Sequence, residues 1–164
     1  MKSYFQDLAA YNQWANQTLY GSISELTDEE RQKDLGGFFS SLLNTLNHVL
    51  VGDLLWMERL EGSGRKPATL DTILHDNYEA LQQDRFETDK RMIQIIEQMP
   101  PLMLSEYLDY KTSAGMDCHD PVSGILGHIF NHQTHHRGQC HHMLSQLGKA
   151  PPPLDLIYFL RTKA

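Results

Sequence analysis

Nine histidines are spread unevenly along this chain of 164 residues, and six of them lie between His128 and His142. Imidazole ligates transition metals, exchanges protons near neutral pH and hydrogen-bonds through either nitrogen. Spacing narrows the choice among these uses. Each residue advances roughly 100° around a helix, so His132 and His136, four positions apart, stack one turn above the other on one face. Ile125, Ile129, Cys140, Met143 and Leu147 define the apolar stripe of that segment, and both histidines fall in its middle. His128 and His135 lie at the edge of the stripe, and His141 and His142 point toward solvent. Two imidazoles facing a helical interior either chelate one ion or each need a hydrogen-bond partner, because burial without partners is expensive.

A metal needs at least one ligand more. His48 is the best-placed candidate, on the flank of another amphipathic segment in line with Gly52 and Leu55. Taken alone, it reads more readily as a surface or edge histidine. His75, beside Asp76, and His119, before Asp120, are poorer choices. Three neutral imidazoles leave an open coordination position, the pattern of catalytic and not of closed structural sites. Such an ion lowers the pKa of bound water to give hydroxide, or holds a thiol as thiolate. Zinc, copper, iron and nickel all accept imidazole. Cys140 lies one turn past His136 and is a fourth ligand, a pocket thiol or, in its more ordinary role, a small core residue. The chain has no HExxH, no Glu-x-x-His of a di-iron bundle, no phosphate loop, no GxGxxG and no G-x-S-x-G.

Four amphipathic segments must carry these residues. The first runs from about Ser3 to Leu26, with Tyr4, Leu8, Tyr11, Ala15 and Leu19 on one face. Thr27-Asp28-Glu29-Glu30 then reads as a capping box, and Gly36-Gly37 as a break. The second spans about Ser40 to Leu60, where Leu42, Leu46, Val49, Leu50, Asp53, Met57 and Leu60 share a face. The third is expected from about Leu70, capped by Thr69 or Asp71, to Met99, with a polar middle from Gln82 to Arg91 and a stop at Pro100-Pro101. Residues 102–119 have no helical pattern. Tyr107–Thr112 reads as extended and Gly115 as a turn. The fourth helix is expected to open with Asp120 as N-cap and Pro121 in its first turn, and to close at Gly148. A short helix from about Asp155 to Arg161 follows. The pattern predicts an all-α, single-domain four-helix bundle over residues 1–164.

Composition excludes several classes. A formal charge of -7 and the lack of a Lys/Arg cluster disfavour nucleic acid as a partner. No apolar run is long enough to cross a membrane. The first residues lack the apolar segment of a signal peptide, so the cytoplasm is the expected location. Two cysteines, Cys118 and Cys140, make no disulfide framework.

The run His128-Ile129-Phe130-Asn131-His132-Gln133-Thr134-His135-His136-Arg137-Gly138-Gln139 resembles the signature helix of the DinB/YfiT-like family, H-x-x-x-H-R-G-Q. That family follows it with apolar residues, Gly-x-x-Pro-Pro and an Asp, matched here by Leu144, Leu147-Gly148, Pro151-Pro152-Pro153 and Asp155. Thr45–Leu50 with Asp53–Leu60 resembles the family's second helix, and Tyr11–Asn16 its first. The resemblance covers nearly the whole chain. It implies an up-down-down-up bundle, a homodimer, and one divalent ion on His48, His132 and His136. His128 and His135 match histidines of some members outside the ligand positions. Activities in the wider superfamily include thiol-dependent transferases and isomerases, which implies a low-molecular-weight thiol as a possible co-substrate.

Three functions compete. In the first, a metal-dependent enzyme of transferase or hydrolase type attacks an electrophilic small molecule with a metal-held thiolate or hydroxide. Zinc or nickel stands ahead of manganese or iron as the metal. Trp56, Tyr110, Tyr11 and an inward-turned Arg137 are the pocket candidates. In the second, a non-catalytic metal-binding module serves a stress response. In the third, a helical protein uses its histidines only as core or surface residues.

Overall fold

The computed structural model describes residues 1–163. Its elements, in order, are α1 (Lys2–Ser24), α2 (Asp28–Gln32), α3 (Leu42–Glu61), α4 (Tyr78–Gln98), a 3-10 turn (Pro101–Ser105), β1 (Tyr107–Lys111), β2 (Asp117–Pro121), α5 (Val122–Gln146) and α6 (Leu156–Thr162). Local chemistry sets most of the ends. The Thr27 hydroxyl accepts from the Glu30 amide while the Glu30 carboxylate accepts from the Thr27 amide, which is the predicted capping box. Ser41 caps α3 through the Asn44 amide, and Gly62, at φ 68°, ends it in the left-handed region that glycine tolerates.

Two boundaries differ from the sequence expectation. The third helix does not begin at Leu70; α4 starts at Tyr78 with Asn77 as its cap. The reason is Asn47, fully buried on α3. Its Oδ1 accepts from the amides of Leu74 (2.9 Å) and His75 (3.0 Å), and its Nδ2 donates to the His75 carbonyl (2.9 Å). One side chain thereby takes up the backbone groups that a helical turn would have used. The fourth helix does not open at Asp120-Pro121 either. These residues end β2, which pairs antiparallel with β1 from Tyr107 opposite Pro121 to Lys111 opposite Asp117, and α5 starts at Val122. Asp120 accepts from the Tyr110 hydroxyl at 2.8 Å and caps nothing.

The long helices contact in a closed cycle, α1 with α4, α4 with α3, α3 with α5, and α5 with α1. Two apolar clusters fill the interior. One holds Phe5, Ala9, Met57, Leu60, Met92, Ile96, Ile125, Leu126 and Ile129, from the N-terminal halves of α1 and α5 and the C-terminal halves of α3 and α4. The other holds Leu19, Ile23, Leu42, Leu46, Leu50, Tyr78, Leu81, Cys140 and Leu144, from the opposite halves.

Between the two clusters in sequence, on all of these helices, lie buried polar residues: Asn12 and Asn16 on α1, Asp53 on α3, Arg85 and Asp89 on α4, Gln133 and Arg137 on α5. Arg85 bridges the two acids, with Nη1 2.7 Å from Asp53 and Nη2 2.9 Å from Asp89. Asn12 and Asn16 donate to Asp89, Gln133 donates to Asp53, and Arg137 donates to Asn12, Asn16 and Gln133. Two guanidinium groups thus offset two carboxylates, and the amide donors add to the pairing, as buried charge requires; Arg85 Nε is left without a hydrogen-bond partner. Of the polar middle predicted for the third helix, Arg85, Thr88 and Asp89 are therefore interior, while Gln83, Glu87, Lys90 and Arg91 face outward.

Candidate metal centre

His132 and His136 directly precede the buried Gln133 and Arg137 in sequence, so the polar layer fixes the rotation of α5 at the height of the histidines. His48 reaches the same point from α3. Candidate ligand nitrogens of His48, His132 and His136 all lie within 4.8 Å of one another. The Nε2 atoms of His48 and His132 are 3.1 Å apart, a spacing in which one proton or one cation bridges two nitrogens. Gly52 makes the approach possible. A Cβ there would stand 3.0 Å from Cε1 of His132.

Two of the three rings are turned by hydrogen bonds at their far nitrogens. His48 Nδ1 lies 2.9 Å from the Leu70 carbonyl, which can only accept, so this nitrogen donates. His136 Nδ1 lies 2.7 Å from Oε1 of Gln139, with the same consequence. Both Nε2 lone pairs are thereby left for a ligand, the usual arrangement of metal-binding histidines. Burial, with the neighbouring imidazoles His136 and His48 adding to it, lowers His132 to about 3. Burial also lowers His136 to about 4, although the Gln139 bond opposes the shift. Both are neutral at pH 7, the state that binds metal. The donor set therefore fits one divalent ion with an open position. Among the described residues no cysteine or carboxylate joins it.

The mouth is aromatic on two sides. Phe39 stacks on His48 with centroids 4.0 Å apart and meets His136 edge-on at 5.7 Å. It sits on a loop that runs close over α5, where a Cβ on Gly37 would come within 2.7 Å of Met143 Cε. Phe38 beside it is 91% exposed. Phe38, Phe39, Asn44, His48, Thr72 and Ile73 help to line a cavity of about 220 Å³. On the other side, His128 lies 5.8 Å from His132, Trp56 lies 5.3 Å from His128, and Tyr110 packs 5.2 Å from Trp56. The Arg59 guanidinium covers both aromatic rings.

The four pocket candidates are thus split. Trp56 and Tyr110 stand near the histidines, one and two rings beyond His128. Tyr11 packs on Trp14 and Phe159, and its hydroxyl donates to the Leu154 carbonyl. Arg137 does turn inward, but into the polar layer; with Tyr11 and His141 it lines a separate groove of about 530 Å³. His141, expected in solvent, is half-buried there. His75 and His119 stand apart, each 2.7 Å from a carboxylate, Asp84 and Asp109 respectively. Cys140 is buried in the apolar core, and that burial pushes its thiol up to about 12, so it is no thiolate. Sequence reasoning missed Phe39, the Leu70 carbonyl and Gln139. Only Gln139 carried a signal, its i+3 spacing from His136.

Comparison with known proteins agrees with the fold. A solved DinB-like protein from Bacillus cereus ATCC 10987 superposes with a TM-score of 0.62, covering 85% of this chain and 89% of that one at 18% identity. That likeness defines the class, a predominantly helical protein of DinB-like fold. The profile of the DinB family matches residues 1–163. Protein DinB of Bacillus subtilis (strain 168) is 31% identical over 170 residues, covering 99% of this chain and 98% of the relative. The chain belongs to the DinB family.

Proposed function

We propose that His48, His132 and His136 bind one divalent metal ion, zinc or nickel ahead of manganese or iron, and that the protein is a metal-dependent enzyme of transferase or hydrolase type. The convergence of three imidazoles from two helices on one point carries the reading. When bound, the ion would supply the Lewis acidity that makes a thiolate or hydroxide available at neutral pH. The chain's own residues hold and shield. Leu70 and Gln139 orient two of the rings, Phe39 covers His48, and Trp56 and Tyr110 wall the side beyond His128. All three histidines of the cluster would be occupied as ligands, so none of them would be free to act as general base. We extend the proposal to an electrophilic small-molecule substrate, a low-molecular-weight thiol as co-substrate, a homodimer, the cytoplasm and no nucleic-acid partner. The charge of -7 supports the last point.

One observation favours a second reading, a metal-binding module without turnover. The cavity at His48, about 220 Å³, is smaller than ligand pockets usually are, roughly 300–1,000 Å³. The deciding experiment is metal content per chain by mass spectrometry on untagged protein, beside His48→Ala and His132→Ala. About one divalent ion per chain, lost in both variants, is expected. Assays of thiol transfer and hydrolysis on the loaded protein then separate the two readings. No stoichiometric metal after reconstitution with zinc, nickel, manganese and iron would overturn both.

A further inference from the structure

A ligand histidine works only if its proton sits on the nitrogen away from the metal. For His48 the Leu70 carbonyl guarantees this, because a backbone oxygen never donates. His136 relies on a side-chain amide, which presents an acceptor on one face and a donor on the other. With Oε1 of Gln139 toward the ring, Nδ1 is protonated and Nε2 is bare. With the amide flipped, Gln139 Nε2 would face Nδ1, the proton would move to Nε2 of His136, and the lone pair would be lost to a metal.

In the observed orientation the amide's far side engages a second histidine. Nε2 of Gln139 lies 3.2 Å from Nε2 of His135, an exposed histidine with no place in the three-ligand cluster. An amide nitrogen only donates, so His135 must accept there and carry its own proton on Nδ1. The donor roles of all three side chains then follow in one direction, from His136 Nδ1 to Gln139 Oε1 and from Gln139 Nε2 to His135 Nε2. The spacings are i+3 from His136 and i+4 from His135, so one turn of α5 holds the whole relay and needs nothing from another element.

We infer that Gln139 is a positioning residue that sets the tautomer of His136, and that His135 holds Gln139 in the productive orientation. The inference rests on the proposed metal site but is read independently of it. In zinc-free protein, long-range proton–nitrogen NMR correlations should show His136 protonated at Nδ1 in the wild type. Gln139→Leu should show a substantial Nε2-protonated population, and Gln139→Glu, which keeps an acceptor, should restore the Nδ1 form. Competition with a chromophoric chelator should show zinc binding weakened about 10–100-fold in Gln139→Leu. Gln139→Glu should bind at least as tightly as wild type, and His135→Ala should lose several-fold. Retained helical circular dichroism in Gln139→Leu would separate these losses from misfolding. An unchanged tautomer in Gln139→Leu, or zinc affinity within threefold of wild type, would overturn the inference. If wild type binds no zinc, the metal proposal fails, and the NMR result still decides the role of Gln139.

Discussion

Arg85→Met is the sharpest test of the polar layer. Arg85, Asp53 and Asp89 are each about 1% exposed or less, with the guanidinium 2.7 and 2.9 Å from the two carboxylates. Methionine keeps most of the apolar stem and deletes the charge, leaving two buried acids against Arg137 alone. Breaking one side of a buried pair costs about 3–5 kcal/mol, a large share of a total stability of about 5–15 kcal/mol. The pH dependence identifies the cause. Burial, against the opposing pull of Arg85, raises Asp89 to about 6 in the folded protein, while the unfolded carboxyl titrates near ~3.9. The folded state therefore binds more protons across that window, and this group's contribution falls as pH rises through it. Removing Arg85 removes a lowering influence, pushes the acid higher and extends the window upward. Protonation therefore offsets more of the variant's loss at pH 5 than at pH 8. Urea denaturation of both proteins should show the gap widening between those pH values. A variant within about 1 kcal/mol of wild type at pH 8, or a gap independent of pH, would refute the electrostatic account.

Gly52→Ala should leave the melting temperature unchanged or raised, because alanine improves helix propensity by about 1 kcal/mol, yet weaken zinc binding about tenfold by displacing the His132 ring, whose Cε1 would stand 3.0 Å from the new Cβ. Equal zinc affinity would show that the ring yields freely. Asn47→Ala should cost about 2–3 kcal/mol by stranding the Leu74 and His75 amides, and should also weaken zinc binding through the Leu70 segment; a stability loss with full zinc affinity would uncouple the two. His136, lowered to about 4 when folded against ~6.5 unfolded, makes zinc-free protein bind fewer protons than its unfolded chain between those values, so its contribution falls as pH drops from ~6.5 toward 4. The acid-side decline in urea midpoint should be shallower in His136→Gln, and an identical decline would assign it elsewhere.

Periodicity was enough to place His132 and His136 together, because a stripe on one helix is a local property and His136 is buried where the stripe requires. His48 was legible only as a flank position, and it took the packing of α3 on α5 to bring it into range. The polar layer was not legible. Arg85 and Asp89 look like a solvated stretch until Asp53, 32 residues before Arg85, is known to face them. Burial of charge is a property of the pair, and hydropathy scores one residue at a time. The first strand of the hairpin and its Gly115 turn were legible, but the second strand was hidden for a related reason, since it draws its hydrogen bonds from the first and Asp120-Pro121 has the chemistry of a helix start as well.

The misplaced start of α4 is of more consequence than a boundary error, because the site depends on it. In a helix opening near Leu70, the Leu70 carbonyl would accept from the amide of Leu74, the i to i+4 bond of every helical turn. That amide instead donates to Asn47, which leaves the Leu70 carbonyl free to accept from His48 Nδ1. Asn47 and His48 are adjacent on α3, so the residue that keeps the segment out of a helix stands next to the histidine that uses the released carbonyl. The tautomer of one candidate ligand is thus set by where α4 fails to begin, and no helical pattern drawn through residues 70–77 could have provided for it.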